Sequence, residues 1–242
     1  EDGEGAAEEA RSDILEACRD ADIVFLTGGL GGGTGTGSLP VIAKLAKERG
    51  ALTIAIVTLP FSNEGARRSK NARIGLEKLR KSADTVIVIP NDRLLQDNIS
   101  QLPLNLAFRQ ADEILGNAIK CMTEITSHGG LVNIDFADMR SIMDGGGVAM
   151  IGMGEGQGAT RASDAVTAAL TSPLLELDIS QSKGALVNVT GGDDMTLQEA
   201  HEVVREVHSK INKDARIIWG ASIDSTLEHQ IRVMLVVTGV KS

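Results

Sequence analysis

The chain has 242 residues, 42% hydrophobic and 24% charged, with a net charge of −9. That composition excludes a disordered or collagen-like chain, and the length allows one large domain or two small ones with a core that needs neither disulfide nor structural metal. Four Phe, one Trp and no Tyr leave an aliphatic core without platforms for stacking single-stranded nucleic acid, and the acidic balance disfavours nonspecific contact with nucleic acid or anionic membrane.

In chain order, the first 22 residues carry nine acidic side chains against Arg11 and Arg19, and predict a solvated helix from about Ala6. Ile23-Val24-Phe25-Leu26 is a short apolar run bounded by glycines, the pattern of a buried parallel strand. After the glycines from Gly28 to Gly37, Pro40 opens a predicted helix that ends near Gly50. Leu52 to Val57 is the second strand, Glu64 to Arg80 a helix, and Val86 to Ile89 the third strand. Strands alternating with helices argue for βαβ units and a parallel sheet.

Leu104, Ala107, Ala111, Ile114, Leu115, Ala118, Met122 and Ile125 recur at steps of three and four, predicting a central helix from Leu104 to about His128. Beyond Gly145-Gly146-Gly147 the order is strand (148–153), helix (161–170), strand (185–189), helix (196–211) and two closing strands (216–223, 231–240), expected to be antiparallel. Thr196 with Glu199 three residues on is a capping box. The expected boundaries are therefore 1–103 for a first α/β domain, 104–128 for the central helix, 129–145 for a loop and short helix, and 146–242 for a second α/β domain. Cys18 and Cys121, far apart and without metal-type spacing, read as buried free thiols in a reducing compartment. No apolar run approaches the length of a membrane span and the acidic start does not suit a signal peptide, so a soluble cytosolic protein is expected.

Gly31-Gly32-Gly33-Thr34-Gly35-Thr36-Gly37 lies between a strand and a helix. Its glycines permit close backbone approach, its amides attract anions, and the two threonines add hydroxyl donors, so it is expected to bind phosphate. It lacks the GKS or GKT of a Walker loop and the GxGxxG spacing of a dinucleotide fold, which excludes a Rossmann oxidoreductase. Asn133-Ile134-Asp135-Phe136-Ala137-Asp138 presents two carboxylates that either orient a water, hold a cation, or cap the following helix. Residues 64–81, opened by Glu64, Arg67 and Arg68, carry seven basic and two acidic side chains, fit either for phosphate, for an acidic partner, or for solvent. His201-Glu202-Val203-Val204-Arg205 misses the second His of a zinc-protease motif, so no metal site is expected and His201 should be exposed. Met139, Met143, Met150 and Met153 read as packing residues.

Together these segments resemble the tubulin/FtsZ family. The resemblance rests on GGGTGTG (Gly31 to Gly37), Leu59-Pro60-Phe61 with Glu64-Gly65 and Arg68, Ile89-Pro90-Asn91-Asp92, and NxDxxD from Asn133 to Asp138. It continues through Gly152-Met153-Gly154, Ser172-Pro173-Leu174-Leu175 and Ile218-Trp219-Gly220. The match runs in order over essentially the whole chain and looks closer to archaeal FtsZ than to tubulin. It implies a Rossmann-like parallel-sheet GTPase domain joined by the central helix to a second α/β domain with a four-stranded mixed sheet. It further implies a cell-division GTPase that polymerises head to tail, acting in the cytoplasm at the division site. Its partners would be itself and other FtsZ-type subunits, with no nucleic acid and no direct membrane contact.

By the same resemblance, Gly31, Gly32, Gly33, Thr34, Gly35, Thr36 and Gly37 would hold the phosphates of GTP or GDP, with Mg2+ accompanying the nucleotide. Glu64 and Arg68 would contact the ribose and phosphates, Asn91 and Asp112 would bond the guanine, and Phe108 would pack on its face. A carboxylate at Asp112 suits guanine, whose N1–H and exocyclic amine form a donor pair that adenine lacks. Asn133, Asp135 and Asp138 would lie on the face opposite the nucleotide and complete the active site of the next subunit. Measured against the family pattern, a strand and a second glycine-rich phosphate loop that precede the acidic helix are missing, roughly a third of a GTPase domain of ordinary size. So are the linker and tail peptide that follow the last strand. The alternative expectation is a non-catalytic module that docks on a complete FtsZ subunit and regulates assembly.

Overall fold

A computed structural model of the chain describes residues 2–94, 104–126, 131–175 and 179–239. The chain divides into two units, one made of Glu1–Gly116 and Met143–Val148, the other of Asn117–Ile142 and Ala149–Ser242.

In the first unit, strands β1 (Ile23–Gly29), β2 (Leu52–Leu59) and β3 (Thr85–Pro90) form a parallel sheet, with Ile23 opposite Leu52 and Ile54 opposite Thr85, and the one-turn helix α5 (Asn91–Leu94) follows β3. Residues 52–57 of β2 are buried without alternation, as expected of a strand covered on both faces. The crossover helices α3 (Thr34–Glu48) and α4 (Ala66–Ser82) share one core with the sheet, in which Leu39, Ala43, Ala72 and Leu79 meet Ala55, Val57, Val86 and Val88. A second patch on α3, Val41 and Leu45, receives Ala7 of α1 (Asp2–Glu9) and Ile14 and Leu15 of α2 (Arg11–Ala17). Below β2, the buried Asp84 carboxylate accepts from Lys47 Nζ at 2.5 Å, Thr53 N at 2.9 Å and Thr53 Oγ1 at 2.8 Å. Burial alone would raise its pKa; those donors outweigh it and hold the carboxyl below the ordinary range.

Two helices differ from the sequence expectation. The acidic segment is a pair of helices starting at Asp2 and broken at Ala10, not one helix from Ala6. Helix α3 begins at Thr34, six residues before Pro40, so the proline sits inside the helix and forfeits the bond to the carbonyl of residue 36. The second half of the glycine motif is thus helix rather than loop.

In the second unit, the C-terminal half of α6 (Leu104–Thr126) buries Ala118, Cys121, Met122 and Ile125. The short helix α7 (Phe136–Met143) buries Met139 and Ile142. Four strands follow: β4 (Gly147–Gln157), β5 (Gly184–Gly191), β6 (Arg216–Ile223) and β7 (Gln230–Thr238). Their order is β4-β7-β5-β6, with β5 and β6 parallel and β7 antiparallel to both its neighbours. The mixed four-stranded sheet is as expected, but the two closing strands are not partners: β7 runs opposite to β6 and pairs with β4 and β5. The expected ends at His128 and Val240 lie outside the described residues.

Helices α8 (Arg161–Leu170) and α9 (Leu197–Lys210) cover this sheet. Helix α8 lies so close on β4 that a Cβ at Gly154 would stand 2.2 Å from the Ala165 carbonyl oxygen. The Thr196–Glu199 capping box forms as the sequence predicts. Arg161, 7% exposed, ties the two helices together: its guanidinium donates to Glu199 Oε1 at 2.6 Å and Oε2 at 3.1 Å, and to Asp194 Oδ2 at 2.7 Å. The Arg161 guanidinium bonded to it pulls the Glu199 carboxyl down to about 2. Cys18 and Cys121 are buried free thiols, and burial pushes Cys121 up to about 11. Among the described residues no helix is long and apolar enough to cross a membrane.

Candidate functional site

The glycine motif leaves β1 and enters α3 beside a cavity of about 730 Å³ in the first unit. Gly31, Gly32, Gly33, Thr36 and Gly37 line one wall, Arg67, Arg68, Asn71 and Lys78 of α4 another, and Asp2 and Glu4 of α1 a third. Gly31 sits at φ +110°, a conformation that excludes most side chains. The loop is held by its own atoms: the Gly31 amide donates to Thr36 Oγ1 at 2.8 Å, leaving the threonine proton for another acceptor. Gly35 lies against the strand, where a Cβ would stand 2.4 Å from the Gly29 carbonyl oxygen. Gly32 and Gly33 border open space, while the Gly37 amide donates to the Gly33 carbonyl at 3.2 Å; a helix start beside that space is the construction that favours a bound anion.

Of the other residues singled out by the sequence, Arg68 lines the cavity, whereas Thr34, Gly35, Glu64, Asn91, Phe108 and Asp112 do not. Glu64 pairs with Arg68 and accepts from the Phe61 amide at 2.8 Å. Phe108 meets Phe61 edge to face, with ring centroids 5.2 Å apart, and keeps 39% of its surface exposed. Asp112, one turn on along α6, is exposed. Asn91 is buried, and its carboxamide oxygen has no hydrogen-bond partner among the described residues. Such an orphaned acceptor is costly unless a ligand or water completes it.

Asn71, Lys78, Asp2 and Glu4 line the cavity in addition to the residues the sequence singles out. The signal was there for the α4 set: residues 67, 68, 71, 74, 75 and 78 recur at steps of three and four and so share one helix face. Nothing in the sequence announced that α1 would bring Asp2 and Glu4 to the cavity, where Glu4 accepts from Lys78 Nζ at 2.9 Å.

In the second unit, Asp135 caps α7: its Oδ1 accepts from the Ala137 amide at 3.3 Å and its carbonyl from the Met139 amide at 3.0 Å. Asp138, on the first turn of that helix, accepts from Arg216 Nη2 at 2.7 Å. Asn133 and Asp135 are exposed. His201 is exposed, as expected, and packs edge to face on Trp219 at 5.5 Å.

Comparison with known proteins bears on both units. Residues 1–98 match the profile of the tubulin/FtsZ family GTPase domain, and residues 147–241 that of the FtsZ family C-terminal domain. The solved structure of an empty FtsZ dimer from M. jannaschii is 53% identical with a TM-score of 0.95, over 98% of this chain and 69% of that one. The chain belongs to the tubulin/FtsZ family. Cell division protein FtsZ 1 of Archaeoglobus fulgidus is 57% identical over 99% of this chain, and FtsZ of Methanothermobacter thermautotrophicus 58% over 99%. The chain spans 65% and 63% of the lengths of those two relatives. CetZ1 of Haloferax volcanii, at 21% identity and a TM-score of 0.78, shares the fold. The two α/β units and the helix between them are thus the FtsZ architecture, with the glycine cavity inside the stretch matched to the GTPase domain.

Proposed function

We propose that the protein is an FtsZ-type GTPase that assembles head to tail into filaments and hydrolyses GTP between subunits, in the cytoplasm at the division site. The observation that carries the reading is the cavity of about 730 Å³ in which the glycine motif faces Arg67, Arg68 and Lys78 of α4, with Asp2 and Glu4 on its third wall. The segment Gly31, Gly32, Gly33, Thr34, Gly35, Thr36 and Gly37 holds the phosphates, through those of its amides not already bonded within the loop, the Thr36 hydroxyl, and Arg68 once it leaves Glu64 for the ligand. Glu64 then faces the ribose. Asn91 and Asp112 bond the guanine, the orphaned Asn91 oxygen taking a donor, and Phe108 covers the base. Mg2+ would arrive with the nucleotide, held chiefly by its phosphates and by water.

The second half of the site comes from the neighbouring copy. Asn133, Asp135 and Asp138 of one subunit meet the γ-phosphate held by the next. Asp138 orients a water and draws its proton as the oxygen attacks phosphorus and the β–γ bridging oxygen leaves. The partners are further copies and other FtsZ-type subunits.

Asp138→Ala tests this. GTP binding and pelletable filaments should persist while turnover falls by about 10²-fold or more, the contribution of a positioned base. Turnover equal to the parent's would refute the assignment. If the parent binds no GTP yet stimulates turnover by an intact FtsZ relative, it is a regulatory module instead.

A further inference from the structure

We propose that Arg216 is a positioning residue that fixes the Asp138 carboxylate for catalysis; the inference rests on Asp138 orienting the attacking water. The two side chains come from positions 78 apart, α7 and the first residue of β6, and meet at 2.7 Å between Arg216 Nη2 and Asp138 Oδ1.

The fold does not need this pair. The side chains are 57% and 48% exposed, and an ion pair so accessible adds little to stability. Helix α7 is anchored by buried Met139 and Ile142 and by its Asp135 cap. What the pair changes is geometry. An exposed aspartate samples several rotamers, and a charge-assisted bond to one oxygen removes most of that freedom. The backbone that carries the guanidinium is fixed: the Arg216 amide donates to the Lys183 carbonyl at 3.1 Å, and Arg216 stands opposite Gly184 in the β5–β6 register. With Oδ1 held, Oδ2 is the oxygen left to take a water. Displacing a reacting group by about 1 Å costs up to about 10²-fold in rate, so a carboxylate free to wander loses much of its use. The neighbouring cation on α7, Arg140, lies over the Phe136 ring at 5.2 Å.

The test is a double-mutant cycle on GTP turnover. Arg216→Ala should lower kcat about tenfold, leaving KM for GTP, filament pelleting and thermal melting within twofold or about 2 °C of the parent. Arg216→Lys should recover part of the loss, since an ammonium restores the charge without the planar fork. In an Asp138→Ala background, Arg216→Ala should cost nothing more. An unchanged kcat in Arg216→Ala overturns the proposal, as does a tenfold loss in both backgrounds, which would make Arg216 act on its own. Parent-like turnover in Asp138→Ala would instead overturn the reading on which the proposal rests.

Discussion

Replacing Gly35 by alanine probes how the phosphate arc is built. The added Cβ would lie 2.4 Å from the Gly29 carbonyl oxygen. An ordinary carbon–oxygen contact is about 3.3 Å, so strand and helix must part by roughly 1 Å. Neither side can yield by turning a side chain, because both atoms belong to backbone. Gly29 is locked opposite Thr58 in the β1–β2 ladder, and Gly35 lies in the first turn of α3. Overpacking of this kind costs about 2 kcal/mol. For a chain of this size that lowers Tm by about 4–8 °C, a loss an ordinarily stable protein survives. Because the displaced segment carries the amides, GTP affinity should fall at least tenfold. Gly32→Ala is the control: its Cβ meets nothing within 4 Å, and melting should stay within about 1–2 °C of the parent. Circular dichroism melts and titration with a fluorescent GTP analogue read both effects. A Gly35→Ala protein that melts and binds like the parent would refute the reasoning.

Two further outcomes concern the second unit and its response to acid. Arg161→Ala leaves Glu199 and Asp194 facing each other without their shared cation and should cost about 3 kcal/mol in urea unfolding; a loss under about 1 kcal/mol would contradict the buried-bridge account. The Glu199 carboxyl is depressed from 4.5 to about 2, so its contribution is present above pH 4.5 and is lost as pH falls toward 2. The urea midpoint should decline across that window in the parent, and Glu199→Gln should flatten the decline. Asp84, also held low, adds the same sign of acid sensitivity to the first unit.

Much of the fold was legible because its signals are local. Leu52 to Val57 is an apolar run that reads as a strand, and Thr196 with Glu199 announces its helix start. Helix α3 was misjudged because a proline normally marks a first turn; here the tertiary contact of Gly35 with β1 pulls the glycine run into the helix instead. The order of β6 and β7 was illegible for a different reason. Strand partners are chosen by burial across the sheet, and two strands close in sequence carry no local sign that β5 will lie beside each of them. The candidate site divides in the same way. A glycine motif and an NxDxxD run are readable as text. That Lys78 and Glu4 meet across one cavity, or that Arg216 reaches Asp138 over 78 positions, arises only when distant segments fold together.

In the proposed filament one copy holds the nucleotide and another supplies the carboxylates. Mixing two disabled proteins tests it most directly: Gly35→Ala, impaired in the nucleotide arc, with Asp138→Ala, impaired in the donated face. Each alone should turn over little GTP. Together, the intact arc of the second can meet the intact Asp138 of the first, and the account predicts that turnover rises well above the sum of the separate rates. A mixture no more active than its components would contradict it.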